Sequence, residues 1–457
     1  MENKSSNKDK IEIKKEEKKS YLRRWKDFHL YYEDYIDTEN YNYEDNNFEN
    51  LSKIDNIESI LSYIGQLIID NFNDYWEGKS NFSKIGLDNC AYILYENAGN
   101  VLFLYGLYYE LKDERYKYIA EKALEQFETD ILSVYKEDEE GNLIQYITCI
   151  YIYFNLYRMF NQNKFYKKYE EYLNYIEDYI NLHEDLKYKD LFKKYKDHIY
   201  KENKLYLQYA TTYAIIIIVF LNIYEERKDQ ILLSSIEKLS RYLYDLVICF
   251  KGKHSYNNHK LECGYIGGYS LFAQALLASG RVLCNDDYYY EALALVKKED
   301  EFYDSSLKDW AKKDKQKDYH LNHAPGILIS RNKMLNYIKK EDTDIVRGNI
   351  AAALNNFYKI EFKEYFDISV LNGLAGSIDI FSTLAYELKN SFFIEKINKI
   401  IKMYIRYLNK YPEDYQKFFT IIDMDFLTGV LGVGYSILRF NNLNFPSIFS
   451  FDLFKLN

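Results

Sequence analysis

With 70 acidic against 60 basic side chains in 457 residues, the chain carries a formal charge of −10. That balance disfavours nucleic acid as the main partner, because phosphate binding wants a net basic face and every Lys/Arg block here is mixed with Asp or Glu. Apolar residues at 47% and charged ones at 28% exclude disordered and collagenous classes and allow a sizeable core.

Three prolines, with Leu, Ile, Lys, Glu and Tyr dominant, are the composition of a chain made mostly of helices. The 51 tyrosines are spread through every segment, so they read as half-buried packing groups and not as a binding platform.

In chain order, the N-terminal run MENKSSNKDKIEIKKEEKK is charged throughout and lacks the apolar core of a secretory signal or anchor. Residues 20–60, interrupted by DTENYNYEDNN, read as a short helix and a loop. The chain thus divides into a charged tail with a helical lead-in, 1–60, and a helical domain, 61–457.

From about residue 60 one unit recurs: a small-residue turn, an apolar helix, a polar connection and a second, amphipathic helix. Its copies are Glu96–Leu104 (ENAGNVLFL), Gly141–Tyr151 (GNLIQYITCIY), Gln208–Phe220 (QYATTYAIIIIVF), Gly264–Leu276 (GYIGGYSLFAQAL), Asn322–Ile329 (NHAPGILI), Asn372–Ile380 (NGLAGSIDI) and Thr428–Leu438 (TGVLGVGYSIL). A spacing of about 45 to 65 residues is the period of paired-helix arrays, where one repeat buries its apolar face only against its neighbour.

The first helix of a pair is apolar on nearly all sides, as AIIIIVFL shows; the second carries a wet Lys/Glu face, as in KYIAEKALEQF. An all-α fold of about seven inner and seven outer helices is predicted. Periodicity leaves two closures open, an α/α toroid and an open solenoid with polar caps. The most apolar stretch, Tyr213 to Tyr224, is shorter than the ~20 residues of a membrane span and reads as a buried helix, so no span is predicted. Five cysteines without paired spacing fit a reducing cytoplasm better than a disulfide scaffold.

The fourth to seventh units resemble the cyclase domain of lanthionine synthetases, most of all the C-terminal half of the dehydratase–cyclase fusion class. The resemblance rests on the run from Gly264 to Val282 with NDDYYYEALALVKKEDEFYD after it, on Trp310 leading to NHAPGI, on NGLAGS, and on LTGVLGVGYSILRF followed by FPSIF. Pro325 and Pro446 fall where the family has proline. The match spans about residues 85 to 452 and implies an α/α toroid.

The resemblance also implies a chemistry: a cysteine thiolate of a precursor peptide adds to a dehydrated serine or threonine, and a zinc ion lowers the thiol pKa. Carried onto this sequence, the family's fifth-turn cysteine falls at Leu321 and its sixth-turn Cys-His pair at Leu371 and Asn372. Two aliphatic side chains offer no lone pair, and an amide oxygen is a hard, weak donor. The fourth-turn histidine, which serves proton transfer in the family, falls at Gly267. No zinc and no other cofactor is therefore expected, and no catalytic residue is assigned.

His320 and His323 flank Leu321 and Cys263 precedes the fourth turn, but these residues lie in turns with no orienting carboxylate. They read, with Asn372, as polar residues of a peptide-binding mouth. The remaining histidines, His29, His183, His198, His254 and His259, lie in charged or loop-like surroundings and read as solvated, while GVLGVG follows no strand and is a helix turn, not a nucleotide loop.

Too few residues precede the first unit for a catalytic domain, so dehydration is expected from a separate chain. The leading expectation is a peptide-binding protein of lanthipeptide biosynthesis that has lost zinc-dependent cyclase activity. The alternatives are a zinc-independent lanthionine cyclase, since some kinase-fused relatives also lack these ligands, and a scaffold unrelated to peptide modification.

Overall fold

The computed structural model describes residues 57–72, 90–134, 141–183, 199–251, 261, 263–306, 309–310, 323–358, 369–370, 373–388, 391–410, 426–427 and 429–456. Most of the predicted 1–60 tail lies outside them. The described helices are α1 (Ile57–Phe72), α2 (Cys90–Leu111), α3 (Glu114–Val134), α4 (Gly141–Phe160), α5 (Asn163–His183), α6 (Ile199–Arg227), α7 (Gln230–Lys251), α8 (Tyr269–Val282), α9 (Asp286–Asp300), α10 (Ala324–Met334), α11 (Thr343–Tyr358), α12 (Leu374–Leu388), α13 (Ser391–Lys410) and α14 (Val430–Asn441). A two-residue antiparallel ribbon, β1 (Tyr303–Asp304) with β2 (Asp309–Trp310), is the sole departure from helix and turn that forms a sheet among the described residues.

Two compact units emerge, a smaller one containing Glu262–Lys363 and a larger one made of Leu51–Leu261 with Glu364–Asn457. In the larger unit α2 pairs with α3, α4 with α5, α6 with α7, and α12 with α13; in the smaller one α8 pairs with α9 and α10 with α11. The seventh pair joins the two ends of the helical region, since α14 packs on α1 as well as on α2.

The first helix of each pair follows its sequence. Ala214 to Leu221 in α6 is buried throughout, while α3 buries Ala120, Ala123 and Phe127 and leaves Glu125 exposed. Within α6, the segment Leu207–Arg227 is long and apolar enough to cross a bilayer, longer than the run the sequence singled out. In this fold 67% of its most apolar window is buried, packed against α7, α2 and α4.

Two of the seven predicted turns are corrected by the structure. Glu96–Gly99 and Gln208–Thr212 lie inside α2 and α6, as continuous helix. Apolar neighbours on both sides let those helices run on through the polar residues.

The reversals between paired helices share a device the sequence reading missed. Lys112, Asn161 and Lys228 adopt φ of 57°, 51° and 54°, and each donates its N–H to the carbonyl four residues back, on Tyr108, Tyr157 and Tyr224. This is the left-handed helix cap. Cys284 repeats the conformation at φ 54° after α8. In three cases an Asx residue follows and opens the next helix: Asp113, Asp229 and Asn285 accept from the N–H of Arg115, Ile231 and Asp287.

Between α2 and α14, glycines permit close approach. A Cβ on Gly106 would lie 2.4 Å from the Leu438 side chain, and one on Gly434 would lie 2.3 Å from the Phe103 ring. The first and last inner helices of the larger unit are in direct contact there.

Arg439 on α14 locks this closure. Its Nη1 donates to Asp379 Oδ1 on α12 at 2.7 Å, its Nη2 to Thr383 Oγ1 at 2.9 Å and its Nε to the Phe445 carbonyl at 3.1 Å. Ser447 donates to the other Asp379 oxygen at 2.7 Å. Both charges are almost wholly buried, with side-chain exposures of 1% and 4%. Asp379→Ala strands the Arg439 cation and is expected to cost about 3–5 kcal/mol of stability. Ser447→Ala removes one hydrogen bond and should cost about 1 kcal/mol. Urea unfolding of the two variants followed by circular dichroism checks the ranking.

Candidate functional site

The fourth turn, Gly264 to Gly268, leads into α8 through two left-handed glycines, Gly264 at φ 97° and Gly267 at φ 64°. The N-cap, Gly268, has no side chain with which to cap the helix. A remote carboxylate holds the turn instead. Glu299, on the last turn of α9 and 0% exposed, accepts from Gly264 N at 2.6 Å, from Ser270 Oγ at 2.7 Å, from the Cys263 thiol at 3.6 Å and from Arg331 of α10.

Arg331 extends the network. Its Nε donates to Asn349 Oδ1 on α11 at 3.0 Å, and Asn349 Nδ2 donates to Asp300 at 2.7 Å. All four helices of the smaller unit are therefore fastened to the turn.

The fifth turn is built alike. His323, the N-cap of α10, makes no side-chain cap, and Pro325 stands in the first helical turn, where its missing N–H is harmless. Asp309 on β2 accepts from Ala324 N at 3.1 Å and from Trp310 N at 2.8 Å. His323 Nδ1 lies 2.9 Å from the Trp310 carbonyl oxygen. In the larger unit Glu96 plays the same part, accepting from Phe426 N at 2.7 Å and Leu427 N at 2.9 Å ahead of α14.

The sequence-predicted residues fare unequally. Cys263, Gly267 and His323 are in the smaller unit; His320, Leu321, Leu371 and Asn372 lie outside the described residues. Cys263 and His323 are each committed to a different protein partner, Glu299 and the Trp310 carbonyl. The carboxylates Glu299, Asp309 and Glu96, and Arg331, were not singled out from sequence. Glu299 had a signal: it follows Ala292, Leu295 and Val296 at helical spacing, so the apolar stripe of α9 ends in a carboxylate.

The arrangement defines an all-α protein of paired helices whose inner-helix turns gather glycines. A sequence model of the lanthionine synthetase C-like protein family matches residues 94–453. Among solved structures, nisin cyclase is similar with a TM-score of 0.54 over 86% of this chain and 96% of that one, at 12% identity. No curated protein sequence matches. The chain belongs to the lanthionine synthetase C-like family, and its fold is the α/α toroid of that class.

Zinc is the metal associated with this family, and the described donors do not suit it. Burial and the Glu299 carboxylate push the Cys263 thiol well above its usual range, whereas a zinc ligand must be a thiolate. Glu299 is neutralised by Arg331. Among the described residues no group of three or more His, Cys, Asp or Glu is placed to hold a metal.

The thiols should also differ in reactivity. Cys263 is buried and its raised pKa keeps it protonated, while Cys284 is exposed. Brief iodoacetamide treatment at about pH 8 is expected to alkylate Cys284 and spare Cys263, and peptide mass mapping reads this directly.

Proposed function

We propose that this chain is a peptide-binding member of its family that takes part in lanthipeptide-related modification without zinc-dependent cyclase activity. The observation that carries the reading is a contrast. Leu321, Leu371 and Asn372 stand at the zinc-ligand positions implied by the resemblance, and Gly267 at the proton-transfer position, while the turns around them keep the family's glycines. Gly264 and Gly267 hold left-handed conformations, and a Cβ on Gly376 would lie 2.2 Å from the Val370 carbonyl oxygen.

Thioether formation needs a thiolate at neutral pH, and a thiol of ordinary pKa is mostly protonated there. With no metal to lower that pKa, the mouth supplies position without activation. Its own residues hold the turns rigid through Glu299 and Asp309, and His323 and Cys263 contribute polar walls. A nisin-cyclase-like fold supports a peptide as the molecule held, and a separate dehydratase would deliver it already dehydrated.

Purified protein incubated with a dehydrated, cysteine-containing peptide should bind it saturably by fluorescence anisotropy and leave its free thiol count unchanged, with or without added zinc. Thiol loss that persists in a chelator would establish zinc-independent cyclisation instead, and absence of binding would leave a scaffold.

The triple substitution Leu321→Cys, Leu371→Cys and Asn372→His restores a thiolate–imidazole donor set. It is expected to bind cobalt(II) with the visible absorption of a tetrahedral thiolate site. The parent chain should show none.

A further inference from the structure

In the larger unit, the α4–α5 reversal, the C-terminal end of α6 and the chain near Leu456 enclose a cavity of about 550 Å³. Its size is that of a small-molecule pocket. Phe154, Tyr157, Tyr166 and Leu456 form largely apolar walls, and Arg158 and Arg227 supply two cations.

The two arginines differ in what they already hold. Arg158 is spent: its guanidinium pairs with Glu226 and its Nε donates to the Phe454 carbonyl. Arg227 interacts with the Tyr166 hydroxyl and has Asp229 at 3.9 Å, the outer limit of an ion pair. Its guanidinium carbon sits 5.0 Å from the centre of the Tyr166 ring and 5.4 Å from that of Tyr169. Its Nη1 is buried with no hydrogen-bond acceptor.

A guanidinium N–H withdrawn from water and left without an acceptor is costly, so such a group is a place where a ligand gains more than it displaces. Two tyrosine rings beside the guanidinium hold it in place in advance, which reduces the ordering cost of a two-oxygen partner. A planar carboxylate matches that fork. A bare inorganic anion would leave the apolar walls unused; Leu456, 66% exposed at the rim, calls for an apolar body.

We infer that this pocket binds a carboxylate carried on an apolar or aromatic group, with Arg227 as its anion-binding residue. The carboxylate belongs either to a small free acid or to the carboxyl terminus of a peptide, the same chemistry from two sources.

The test uses the full chain and isothermal titration with N-acetyl-phenylalanine, its neutral amide, inorganic phosphate, and an acetylated tetra-alanine peptide ending in phenylalanine. The acid should bind saturably, and the amide should bind at least ~10-fold more weakly because it loses the charge-assisted pair. Phosphate should bind more weakly than the acid. Tighter binding of the peptide than of the amino acid assigns the site to peptide termini; the reverse assigns it to small acids.

Arg227→Gln should abolish binding with the thermal midpoint little changed, and Arg227→Lys should retain a weakened response. An amide that binds as well as the acid, an Arg227→Gln variant that binds like the parent, or no saturation by any carboxylate overturns the proposal. Should Arg227→Gln fail to fold, the acid–amide comparison on the parent chain decides alone.

Discussion

Buried carboxylates that reach across to the turn before an inner helix are the constraint on which this structure depends. The N-caps of α8, α10 and α14 are Gly268, His323 and Gly429, and none offers a side-chain cap. A helix start leaves backbone N–H groups without partners, and burial makes that expensive. Glu299, Asp309 and Glu96 answer the need from other elements of the same unit, bonding the N–H groups of Gly264, Ala324, and Phe426 with Leu427. Each carboxylate also places negative charge near a helix N-terminus, where the peptide dipoles favour it.

That arrangement fixes the backbone of the turns through side chains that lie outside the turns themselves. The supports of the fourth turn lie on α9 and α10, and the support of the fifth on β2; none is a zinc-ligand position of the family. The family match across residues 94–453 fixes the fold and does not by itself fix the chemistry.

Closure follows a second constraint, that the first and last inner helices meet. Glycines at 106 and 434 let α2 and α14 approach closely, and Arg439 with Asp379 and Ser447 ties α14 to α12 and to the C-terminal segment. That segment then crosses to α4 and α6, where Tyr151 and Asn222 donate to the carbonyls of Asp452 and Phe451. Helix α1 straddles the predicted boundary at residue 60 and completes the last pair by packing on α14.

Helical period, the seven units and the apolar character of AIIIIVFL were legible in the sequence because periodicity and side-chain type are local properties. The glycines that precede α8, α12 and α14 were legible for the same reason. Where a unit began with ENAG or QYATT, the same local rule placed a turn inside what is continuous helix, because packing on both sides outweighed the small residues. Of the left-handed caps, Asn161 has a residue type that favours the conformation, but Lys112 and Lys228 do not, so their shared role appears only when the backbone is seen. Glu299 and Arg331 read as ordinary surface charges until α9 and α10 bring them together, and Arg227 until α5 and α6 do the same for its tyrosines. Sequence determined which residue types were available at each turn; which charges became buried partners was decided by packing between elements far apart in the chain, where burial alone gives a charge its consequence.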